Sequence, residues 1–174
     1  MTDPEKSKEQ AIENAKNTFL SLNFSKTSIQ QVDELLSKFN INIDTADSNG
    51  ETGLIKSLLT GNFELAKFFL DRGANMYAYD TGGRTSMMIC AQNGYIEFAK
   101  LLIQKGYDIN KKVPSNNHSV LALAVWKNQL EIVKFLLENG AHINATDNLG
   151  WTPLQVAQFN EYTDIIDVLL KQET

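Results

Sequence analysis

The chain has 174 residues, 43% of them hydrophobic, with a formal net charge of -5 and a single cysteine. That is enough apolar material to bury a core, and no apolar run approaches the roughly 18 residues that a membrane-crossing helix needs. Cys90 has no second cysteine to pair with, and neither His118 nor His142 has a Cys or His within ligand spacing, so no disulfide and no zinc site are expected.

The first ten residues, MTDPEKSKEQ, have neither the basic start nor the apolar centre of a secretory signal, which points to a cytoplasmic location. Asp3 and Pro4 suit a helix start, and Ile12, Ala15, Phe19 and Leu22 recur along one face, predicting a helix to about Leu22. Ser28 with Gln31 has the spacing of a capping box, opening a second helix through Val32, Leu35, Leu36 and Phe39. The following FNINIDTAD is similar to ENGAHINATD further on, with Asn40 standing where that segment has glycine. Residues 1–46 therefore read as a divergent capping unit.

From Asp47 the chain nearly repeats itself. The segments Asp47 to Leu70, Asp80 to Ile103, Pro114 to Leu137 and Asp147 to Leu170 each bring a turn, a first apolar stretch, an acidic residue and a second, richer apolar stretch. Thr52, Thr85, Ser119 and Thr152 mark the register with steps of 33, 34 and 33, the extra residue lying in KKVPSNN. Twelve residues after each comes Glu64, Glu97, Glu131 or Asp164. A threonine or serine at such a place accepts from free N–H groups of a helix start, and Pro153 fits the first helical turn. Gly73, Gly106 and Gly140 close the second helices. A period near 33 residues means stacked helical units that share one another's apolar faces. The units are 47–79, 80–113, 114–146 and 147–174, the last acting as a cap.

The tetrads TGLI, TSMM, SVLA and TPLQ, the second helices ELAKFFL, EFAKLLI, EIVKFLL and DIIDVLL, and the linkers DRGANMYAYD, QKGYDINKKV and ENGAHINATD resemble those of ankyrin repeats. The resemblance implies an all-α solenoid of antiparallel helix pairs joined by β-turn, hairpin-like loops. None of the four tetrads keeps the family's T-P-L-H whole. Ile55, Met88, Ala122 and Gln155 take the histidine position, and Gly53 replaces proline. Lys56 and Ser57 interrupt the apolar pattern of their helix, so the first full repeat is expected to be the least stable.

Charge is unevenly placed: residues 147–174 carry a net -4 and residues 80–113 a net +2. The only adjacent basic pair is Lys111 and Lys112, too little to track a phosphate backbone, so nucleic acid is not an expected partner. A basic partner surface near the last unit is the favourable match. No nucleophile elbow, phosphate loop or dinucleotide-binding glycine pattern occurs, and no cofactor is expected. Asp164 and Asp167 lie three apart on one helix face, but the equivalent pairs Glu64–Lys67, Glu97–Lys100 and Glu131–Lys134 read as surface ion pairs. Catalysis is not expected.

Resemblance to the ankyrin family implies a protein partner, met by the turn tips and the exposed side of the first helices. Carried over by position, this selects Glu51, Arg84, His118 and Trp151 before each turn threonine or serine. Seven residues after the threonine or serine it selects Leu59, Gln92, Trp126 and Phe159, and Tyr79 joins them. Trp126, Trp151 and Phe159 form the expected aromatic contact patch, with His118 and Lys127 beside it. The expected function is that of a monomeric, stand-alone inhibitor or immunity-type binder that blocks or holds its partner. An adaptor bridging two proteins is the alternative, and small-ligand or metal binding a distant third.

Overall fold

The computed structural model describes residues 4–111, 119–147 and 149–172, which hold ten α-helices among them. Asp3 and His118 lie outside the described residues. The chain divides into two compact units, Met1–Thr81 and Gly82–Thr174.

The first unit contains α1 (Pro4–Leu20), α2 (Ile29–Phe39), α3 (Gly53–Leu59) and α4 (Phe63–Asp71). Helix α1 packs on α2, α2 on α4, and α3 on α4. The first helix ends two residues before the predicted limit, and Leu22 lies just beyond it, its N–H donating to the Phe19 carbonyl at 3.3 Å. The Ser28–Gln31 capping box forms in both directions, and Asn40 closes α2 in the left-handed conformation that its alignment with glycine implied. Phe19, Phe24 and Phe69 are buried together, with ring centroids 5.9 Å apart for Phe19–Phe24, 6.4 Å for Phe19–Phe69 and 6.2 Å for Phe24–Phe69.

This cluster explains the glycine in TGLI. A Cβ on Gly53 would lie 2.2 Å from the tip of the Phe69 ring, so the missing side chain is the space that Phe69 fills. Lys56, apparently out of place on an apolar helix, is half-buried with three partners. Its Nζ donates to the Leu20 carbonyl at 2.8 Å, pairs with the Asp47 carboxylate at 2.8 Å, and sits 5.7 Å from the centre of the Phe24 ring. Ser57 is fully buried, and its hydroxyl donates to the Gly53 carbonyl at 2.7 Å. The polar groups that weaken the pattern in sequence are thus hydrogen-bonded where they are buried, which removes most of the cost of placing them there.

The second unit contains α5 (Ser86–Asn93), α6 (Ile96–Gln104), α7 (Val120–Trp126), α8 (Leu130–Glu138), α9 (Pro153–Phe159) and α10 (Thr163–Gln172). They pair as α5–α6, α7–α8 and α9–α10. The first helices α5, α7 and α9 pack on one another in one layer, and α6, α8 and α10 in a second. Met87, Met88, Ile89, Leu102, Leu121, Val125, Ile132, Leu136, Val156, Ile165 and Leu169 fill the space between them. Cys90 is buried in this core, where burial pushes its thiol up and keeps it protonated.

Each first helix starts as the repeat register implies. The side-chain oxygens of Thr52, Thr85, Ser119 and Thr152 accept from the N–H groups of Ile55, Met88, Ala122 and Gln155. Gly73, Gly106 and Gly140, just past the second helices, have φ of 80°, 89° and 84°. These are values at which a side chain on the residue is strained. The Glu97–Lys100 and Glu131–Lys134 pairs close at 2.7 Å each on exposed helix surface.

Candidate interaction surface

In the second unit the chain enters α9 through a turn organised by Asp147. This carboxylate is buried, and one of its oxygens accepts from the Leu149 N–H at 2.8 Å and the Trp151 N–H at 2.9 Å. The Asp147 N–H donates to the Trp151 carbonyl at 3.0 Å, which closes a hairpin-like loop. Gly150 inside it has a φ of 81°. These bonds fix the backbone of the two residues in the turn that carry large side chains.

Those side chains are Leu149 and Trp151. Leu149 is 74% exposed and Phe159, the last residue of α9, is 67% exposed. Trp151 is half-buried and meets Phe159 edge to face, with centroids 5.2 Å apart and planes at 90°. The two rings, with Leu149, Gly150, Gln155 and Gln158, line an open depression of about 400 Å³. Gln155 stands where the family has histidine and completes a capping box, its Oε1 accepting from the Thr152 N–H at 2.9 Å.

The structure therefore brings Trp151 and Phe159 together as the sequence pattern placed them. Trp126 occupies the equivalent position at the end of α7, 39% exposed, with Lys127 exposed beside it, but it is not among the residues lining the depression. Gln92 and Arg84 are half-buried on the same unit, and the Gln92 carbonyl accepts from Gln129 Nε2 at 3.2 Å. In the first unit Tyr79 is 46% exposed, while Glu51 and Leu59 are half-buried. The Glu51 N–H is held by Asp47 at 3.0 Å, in the same turn geometry that Asp147 builds.

The Asp47 carboxylate also pairs with Lys56 at 2.8 Å. Burial alone would raise the Asp47 carboxyl, but the hydrogen bond and charge of Lys56 and the N–H groups of Glu51 and Asn49 outweigh it. The carboxyl is held below its ordinary range.

Leu149 was not singled out by position, because the register counts from the threonine and Leu149 lies three residues before it. The signal was present nonetheless, as a leucine between an asparagine and a glycine in a turn, where polar residues are usual. Among the described residues no group of three histidine, cysteine, aspartate or glutamate side chains could hold a metal ion, and no helix is long and apolar enough to cross a membrane.

The arrangement of capped helix pairs, glycine closures and aspartate-held turns recurs through both units, and comparison with known proteins agrees with it. Profiles described as ankyrin repeats match residues 20–113 and 113–157. The chain belongs to the ankyrin-repeat family. The human ankyrin repeat and KH domain-containing protein 1 is 33% identical over 108 residues, which is 62% of this chain and 4% of that protein. A putative ankyrin repeat protein of Rickettsia felis is 32% identical over 136 residues, 77% of this chain and 44% of its own length. The Arabidopsis thaliana potassium channel AKT2/3 is 26% identical over 138 residues, 79% of this chain and 17% of the channel. The chain thus spans less than half the length of each of these relatives. The first two carry the ankyrin repeat in their names, and the repeat is a protein-interaction fold.

Proposed function

We propose that this chain is a non-catalytic binder that occupies the surface of a protein partner through the tip and first helix of its last repeat, in the manner of an inhibitor. The supporting observation is the Trp151–Phe159 pair, with its rings 5.2 Å apart beside an exposed Leu149. Large apolar side chains that a monomer leaves in water are the groups that gain most from a partner's surface. The depression they line holds amides and no nucleophile or base, so what it offers is burial and hydrogen bonding. Its effect on a partner is then to block or to hold. A basic partner surface matches the net -4 of residues 147–174. Such an inhibitor acts as a monomer in the cytoplasm and needs no cofactor.

The test is affinity capture from cell lysate with the wild type and with Phe159→Ala, Trp151→Ala and Trp126→Ala in parallel. A protein retained by the wild type and lost with Phe159→Ala supports the reading. Equal retention by Phe159→Ala and Trp151→Ala overturns the site, and retention lost only with Trp126→Ala moves it to α7.

An adaptor role has one observation in its favour. In the first unit a separate open depression of about 310 Å³ is lined by Ile29, Glu64, Lys67, Phe68, Asp71 and Arg72, and Ile29 is exposed. Isothermal titration distinguishes the two readings, because an adaptor takes up two different chains at once and an inhibitor one.

A further inference from the structure

We infer that the depression beside α9 receives an extended segment of the partner chain, which seats one aliphatic side chain against Leu149, Trp151 and Phe159 and carries lysine or arginine beside it. This rests on the binding reading above and gives the partner's chemistry.

The walls of the depression decide the central side chain. Leu149, Trp151 and Phe159 are apolar, and the remaining lining comes from Gly150 and two glutamines, so no carboxylate faces the space. A cation placed at the centre would lose water without gaining a counter-charge, whereas an aliphatic group loses no hydrogen bond and meets three apolar side chains. A volume near 400 Å³ has room for one such side chain and the backbone that carries it.

The glutamines decide the backbone. Gln155 uses Oε1 on the Thr152 N–H, which leaves its NH₂ group as a donor. Gln158 is exposed and its carboxamide makes no hydrogen bond among the described residues. One carboxamide offers a donor and an acceptor side by side, the complement of the N–H and C=O that each residue of an extended chain presents. A helical segment has already used those groups within itself, so it has no backbone N–H and C=O to offer the glutamines.

Charge decides the flank. Between 147 and 174 the chain carries five carboxylates against Lys171 alone. Asp147 is engaged in the turn, but Glu161, two residues past Phe159, and Asp164, in the first turn of α10, are exposed. The Glu161 N–H donates to the Gln158 carbonyl at 3.2 Å, which ties that carboxylate's backbone to the rim of the depression. Lysine or arginine on the segment is favoured by these exposed carboxylates and by the net -4 of residues 147–174, and because the carboxylates are exposed, salt screens the attraction.

The experiment titrates the whole chain into fluorescently labelled synthetic peptides of equal length: leucine-centred with lysine flanks, alanine-centred with lysine flanks, and leucine-centred with glutamate flanks. The first is expected to bind about tenfold or more tighter than either of the others. Raising the salt from about 50 to about 300 mM should weaken it while leaving the leucine-over-alanine preference in place. Phe159→Ala should erase that preference. The double variant Glu161→Gln with Asp164→Asn should erase the flank preference alone. Equal or absent binding across the three peptides overturns the inference, as does a leucine preference that survives Phe159→Ala. If capture from lysate is lost with Phe159→Ala while the peptides show no order, the segment chemistry is wrong and the binding site stands. If capture survives, the binding site falls too.

Discussion

Both units of this protein build an aromatic cluster, and the two clusters do opposite things. In the first unit Phe19, Phe24 and Phe69 are sealed from water, with Gly53 reduced to a hydrogen so that the Phe69 ring can reach α3. In the second unit Trp151 and Phe159 meet at a similar distance, but Phe159 stands 67% exposed. Ring-to-ring contact contributes about 0.5–1.5 kcal/mol in either place, beyond the area it buries. What differs is the water: the first cluster has already released it on folding, and the second still holds it for a partner to displace. Aromatic residues therefore mark stability in the first region and, on the proposed reading, recognition in the second, and only their burial distinguishes the two.

Phe69→Ala gives the sharpest break of this comparison. It empties the centre of the buried cluster and should cost about 3–5 kcal/mol, read as a large drop in urea midpoint. Gly53→Ala approaches the same cluster from the opposite side. Its new methyl would sit 2.2 Å from the Phe69 ring tip, and overpacking of this kind should cost about 1–3 kcal/mol. A Gly53→Ala variant as stable as the wild type would mean that the ring can move, and that the glycine is incidental.

Asp47→Asn asks whether the Asp47–Lys56 charge pair matters to the first unit. A carboxyl held below its ordinary range stabilises the fold fully at neutral pH, and that stability is lost as pH falls through the lowered value. The variant should be less stable than the wild type at neutral pH, and the gap should close in acid, as pH falls below the ordinary carboxylate value and through the lowered one. A gap that is constant with pH would assign the loss to geometry and not to the Lys56 pair. In the second unit, Cys90 gives a readout without any mutation. Its buried, protonated thiol should resist iodoacetamide in the native state and react at the rate of opening of its unit, so labelling measured across urea should follow the unfolding curve. Rapid labelling of the native protein would contradict the packing of α5.

Phe159→Ala should have the smallest effect on stability, within about 0.5 kcal/mol, because the side chain is mostly in water already. Its effect should appear in binding instead. A loss of several kcal/mol in stability would place Phe159 with the first cluster and erase the contrast.

Much of the helical framework was legible from residue types and spacing. The helix starts at Thr52, Thr85, Ser119 and Thr152 could be read because capping is a local bond between a hydroxyl and the N–H three residues on. Asn40 could be read as a helix end because few residues other than glycine adopt its φ of 49° easily. The candidate surface was legible only in part. Position in the repeat selected Trp151 and Phe159, but not Leu149, whose exposure depends on the direction in which the Asp147 turn points it.

The 33-residue period, the helices and their caps belong to the sequence alone, because each follows from chemistry within a few residues. Whether a departure from the pattern is a weakness was decided by tertiary structure. Lys56 and Gly53 look like defects along their own helix, yet Leu20, Phe24 and Asp47 answer the first and Phe69 fills the space left by the second, most of them distant in sequence. The same holds for the two aromatic clusters. A phenylalanine in the sequence has no inside or outside, since burial belongs to the packed chain and is shared among residues that only folding brings together.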